Sequence, residues 1–141
     1  MTAPLPTRDQ LLRACRGEDT ATHPLAPHAR ELADLHKSRL TAEREAVPDI
    51  DAHRTRLVRD IDRWTATHLP SAPGGAYLHT EGLGAIVDRL AQLTALAYNA
   101  LATVDGWDLW NAWERLAELS LAYEDLAGEL TAGRRRLPTP D

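Results

Sequence analysis

Along this chain hydrophobic positions recur every three or four residues and rarely alternate, which predicts helices rather than strands. In "LGAIVDRLAQLTALAYNALATV", stepping at the helical angle places Leu83, Ile86, Val87, Leu90, Leu93, Ala97 and Leu101 on one stripe. Thr80 is the expected N-cap of this helix, Glu81 suits the positive end of its dipole, and the pattern continues to about Val104. The pair Asp105-Gly106 then predicts a turn. A last helix is predicted from Trp107 to Ala132, with Leu109, Ala112, Trp113, Leu116, Leu119, Ser120, Tyr123, Ala127 and Leu130 on its inner stripe. Gly133 is its expected stop, and the arginines after it suit the negative end of the dipole.

Upstream, "PSAPGG" (Pro70 to Gly75) is the clearest loop, and a helix is predicted before it over Asp49 to Leu69. Its stripe carries Ile50, His53, Leu57, Ile61, Trp64 and His68, with Asp60 at the edge. Another helix is predicted from Pro27 to about Ala46, ended by Pro48. Thr7 and Gly17 frame a short first helix, marginal by itself. Four long helices joined by short loops predict an all-α fold, an antiparallel up-down four-helix bundle with a short N-terminal helix. The boundaries are an N-terminal arm over 1–24, the bundle over 25–138 and a tail over 139–141.

Composition narrows the picture. A chain of 141 residues is one domain's length, and its 43% hydrophobic content contains no Phe, the profile of a Leu- and Ala-rich helical core. The net charge of −5 argues against a broad basic face for nucleic acid. The longest weakly charged stretch is shorter than the ~20 residues of a membrane span, so no membrane association is expected. Cys15 is the only cysteine, which excludes an intrachain disulfide and fits a reducing, cytoplasmic setting.

Candidate chemistry concentrates on the second helix. Its stripe begins with Leu25, His28, Leu32 and Leu35, then turns polar through His36, Arg39 and Glu43. Buried charges must be paired, so these groups are expected to meet His53, Asp60 or Tyr123 across the bundle, and this set forms the candidate catalytic constellation. The Glu-x-x-His spacing of bundle metal sites is lacking, so no metal and no cofactor are expected. Asp62 and Asp88 fall on the backs of their helices, which makes Asp88 and Arg89 candidates for an interface. Trp110 and Leu121 lie outside the last helix's inner stripe and, with Trp107, form a second candidate interface. Thr80, Gly82 and Gly84 at a helix start could hold an anion through backbone N–H groups, although the glycines suit close helix packing better.

Two segments, "HTEGLGAIVDRLAQLTALAYN" and "WERLAELSLAYEDLAGELTAGRRRLP", resemble the family called domain of unknown function 4254, and "LADLHKSRLTAERE" with "LVRDIDRW" resemble it more weakly. The resemblance spans about Leu25 to Pro138 and implies a bacterial, intracellular, all-helical protein with no catalytic residue to carry over. Such proteins often carry histidine near the position of Asn99, and this chain departs from that pattern. Two functions are therefore expected in order. The first is a non-catalytic accessory protein that binds a protein partner, either itself or a larger biosynthetic enzyme. The second is a small enzyme or ligand binder with a polar pocket among the second, third and fifth helices.

Overall fold

Thr7 opens the first helix through a reciprocal cap. Its hydroxyl accepts from the Gln10 N–H at 3.0 Å, and the Gln10 side chain accepts from the Thr7 N–H at 2.9 Å. This computed structural model describes residues 2–18, 20–103 and 106–140. Within them run α1 (Arg8–Cys15), α2 (Ala26–Arg39), a 3₁₀ turn (Arg44–Ala46), α3 (Val47–His68), α4 (Leu83–Thr103) and α5 (Gly106–Thr131). Two short strands, β1 (Tyr77–Leu78) and β2 (Arg135–Arg136), pair in parallel. The molecule is an all-α helical bundle. Val104, the expected helix end, and Asp105 of the expected turn lie outside the described residues, as does Asp141 of the tail.

Gly17 and Gly133 end α1 and α5 at φ +81° and +75°, angles that cost a side chain but not glycine. Each completes the same motif: the N–H of the following residue, Glu18 or Arg134, returns to the carbonyl of Arg13 or Glu129. The second helix departs from expectation, because α2 stops at Arg39 rather than near Ala46. Pro48 does not terminate it; a proline lacking an N–H is equally suited to the first turn of a helix, and Pro48 lies there in α3. The chain reverses through residues 40–46 instead, and Glu43 leaves the helix.

α4 is the central element. It packs against α1, α2, α3 and α5, whereas α5 touches neither α2 nor α3 among the described residues. Consequently α4 buries far more than one stripe: Gly84, Ala91, Thr94 and Ala100 are covered along with Leu83, Ile86, Val87, Leu90, Leu93 and Ala97. Leu101, predicted inward, is exposed at its C-terminal end. α3 is attached more lightly, with Leu57, Ile61 and Thr65 buried and Trp64 stacked on His68 at 4.3 Å.

The N-terminal segment is a strap rather than a loose arm. Ala3 N–H donates to the carbonyl of His68 at 3.0 Å, Tyr123 Oη donates to that of Pro6 at 2.6 Å, and His23 Nε2 lies 2.8 Å from that of Pro4. His23 Nδ1 accepts from Leu25 N–H, so Nε2 is the nitrogen that donates. α1 buries Leu11, Ala14 and Cys15 against the bundle. Burial pushes the Cys15 thiol up to about 12 from its ordinary 9.0 and removes it as a nucleophile.

Candidate functional site

The polar half of α2 meets partners other than those expected. His36, only 5% exposed, places Nε2 2.7 Å from Asp88 Oδ1 of α4. Arg54 of α3 donates through Nη1 to Asp88 Oδ2 at 3.0 Å and reaches Asp51 Oδ1 through Nη2 at 3.3 Å. Asp51 in turn accepts two bonds from Arg39, at 2.9 and 3.3 Å. That guanidinium, seconded by Arg54, holds the Asp51 carboxyl below the usual carboxylate range. One continuous chain of polar contacts, Arg39–Asp51–Arg54–Asp88–His36, thus staples α2, α3 and α4 together.

Asp88 therefore does not sit on the outer back of α4. The single-stripe reading assumes one buried face, but a central helix is covered from several sides, and Asp88 lies at the margin of its wide buried arc. Arg89 does point outward, where it pairs with Glu81. Arg54 escaped the sequence reading although a signal existed. It precedes Leu57, Ile61 and Thr65 by three, seven and eleven residues, the spacing of one helical face, so a charge stands in line with the buried stripe.

The remaining members of the expected constellation are dispersed. His53 pairs with Glu31 at 2.8 Å, one more polar rung between α2 and α3. Glu43 and Asp60 are exposed. Tyr123 is buried, its hydroxyl bound to Pro6 and its acidity suppressed by burial. The expected members are not gathered among α2, α3 and α5: no Cα of α5 lies within 8 Å of either other helix among the described residues. A hollow of about 60 Å³ adjoins His36, bounded by Arg39, Leu40, Gln92, Ala95 and Leu96. This network positions α2, α3 and α4 against one another.

The start of α4 carries an internal anion. Asp62 Oδ1 accepts the Gly84 N–H at 2.8 Å, a capping bond supplied by α3 in place of Thr80. A Cβ on Gly84 is excluded by α3, since it would stand 2.8 Å from Val58 Cγ1 and closer to the Val58 backbone, whereas one on Gly82 would stand 2.6 Å from Asp62 Oδ1 and displace that carboxylate. The expected anion position is thus occupied by the protein's own carboxylate. Asp62, read from sequence as outward, is its source.

On α5, Trp107 and Trp110 stack at 5.9 Å and remain 73% and 57% exposed, and Leu121 is 52% exposed. Glu114, Glu118 and Asp125 are exposed on the same side of the helix. Elsewhere, a groove of about 480 Å³ runs between the C-terminal end of α1, α2 and α4. Among the described residues no three His, Cys, Asp or Glu side chains converge as metal ligands, and no helix is long and apolar enough to cross a membrane.

Fold and site together define a small helical bundle with an internally paired polar staple and an aromatic, acidic outer face. The chain belongs to the family described as "Protein of unknown function (DUF4254)", whose profile matches residues 18–139. No curated protein and no solved structure matches it.

Proposed function

We propose that the protein works by binding another protein through the outward face of α5, as a helper subunit rather than as an independent enzyme. The observation that carries this reading is the stacked Trp107–Trp110 pair, most of whose ring surface faces solvent. Buried tryptophans dominate the energetics of interfaces, whereas two adjacent exposed ones add an aggregation risk to a free protein. Leu121 extends the apolar strip, and Glu114, Glu118 and Asp125 border it without an intervening Lys or Arg on that face. A second copy packed face to face would oppose carboxylate to carboxylate, so the favoured partner presents an apolar cleft rimmed by Arg or Lys.

The test compares the wild-type chain with the W107A/W110A variant as bait in extract of the native host, using quantitative proteomics and reciprocal capture. One partner retained by the wild type and lost from the folded variant is the expected result. Equal recovery by both baits would sink the reading. Light scattering across a concentration range provides the second arm: a dimer abolished by the variant would transfer the face to self-association.

A further inference from the structure

We infer that the groove between α1, α2 and α4 is a binding site for a small organic anion with an apolar, ring-bearing body. Its volume, about 480 Å³, lies within the range of ligand sites. Ala33, Ala95 and Ala102 line it, three short side chains where longer ones would fill the space. Tyr98, 43% exposed, lies along the groove, its ring held edge-on against Trp113 at 5.1 Å. The floor and wall therefore suit a flat apolar group.

The rim supplies the charge. Arg16 and Lys37 both border the groove in a chain whose net charge is −5. Arg16 is turned toward Glu18, but Lys37, the only lysine, makes no ion pair among the described residues. Asp34, the acidic side chain on the rim, is engaged by Arg30 at 3.9 Å. The Asn99 amide and Thr41 hydroxyl add neutral hydrogen-bonding groups. An exposed cation above an apolar slot selects a carboxylate joined to a ring over either part alone. The groove also shares Leu40 and Ala95 with the hollow beside His36, so a ligand seated there lies next to the polar staple. This inference is independent of the α5 face.

The experiment titrates 1-naphthoate into the isotopically labelled protein and follows backbone amide shifts, with neutral 1-naphthamide and acetate as controls. Saturable shifts at Ala33, Ala95 and Tyr98 are expected for naphthoate, with weaker binding of both controls. K37Q should weaken naphthoate by about fivefold, the worth of one exposed charge pair, while leaving naphthamide unchanged. A95L should fill the slot and abolish binding of both aromatic probes, and retained circular dichroism and melting temperature confirm that it folds. The inference is overturned if naphthoate produces no saturable shifts, if they map elsewhere, or if folded K37Q and A95L bind as the wild type does.

Discussion

One substitution made at two glycines separates close helix packing from helix propensity. At Gly84 a new methyl would stand 2.8 Å from Val58 Cγ1 and closer still to the Val58 carbonyl oxygen. Carbon atoms prefer a separation of about 3.5–4.0 Å, so α3 and α4 must part by roughly an ångström at their crossing. Overpacking of this kind costs about 1–3 kcal/mol. Separation also stretches the Asp62–Gly84 bond, worth about 1 kcal/mol, while alanine's better propensity returns less than about 1 kcal/mol. G84A should therefore lose about 2 kcal/mol. At Gly128, in α5, nothing lies within 4 Å of the added Cβ, and G128A should gain roughly 0.5–1 kcal/mol. Guanidinium unfolding followed by far-UV circular dichroism reads both. If G84A matches or exceeds the wild type, or both variants move in the same direction, the close-approach argument is wrong.

Two further predictions concern buried polar groups. D88A removes the carboxylate shared by His36 and Arg54 and should lower stability by about 2–3 kcal/mol, with H36A and D88A non-additive in urea unfolding; a change below about 0.5 kcal/mol would deny the network its stapling role. Below pH 9 the Cys15 thiol is protonated folded or unfolded, and its stabilisation is intact; between pH 9.0 and about 12 only the unfolded chain releases the proton, so stability falls as pH rises. C15A should flatten that alkaline decline without removing the part due to Tyr123, whose acidity is suppressed in the same direction. Unfolding midpoints at stepped alkaline pH check it, and an unchanged slope in C15A would refute it.

Where sequence legibility held, a local rule sufficed. Thr7, Gly17 and Gly133 act through bonds to residues a few positions away, so their roles are written in adjacent text. Trp107, Trp110 and Leu121 were legible as well, since residues off the inner stripe of a peripheral helix face outward. Pro48 was ambiguous for a physical reason: the same missing N–H ends one helix and suits the first turn of the next. The polar staple was half legible. Periodicity marked His36 as inward, but it could not name Asp88 and Arg54 as partners, because pairing depends on which helices become neighbours. The central position of α4 decides that, and no single helix's pattern encodes it.

The strap of residues 3–7 has a consequence for how the chain is made. Its carbonyls and N–H groups bond to His23, His68 and Tyr123, partners 19, 65 and 117 positions further along the chain. α1 and α2 can pair early, yet the seam at Pro6 closes only after α5 has been synthesised. Such long-range closure places the locking step at Pro6 late in folding. Until then α1 lacks the cover that α5 supplies, which makes the unclosed chain rather than the finished bundle the stage more exposed to aggregation.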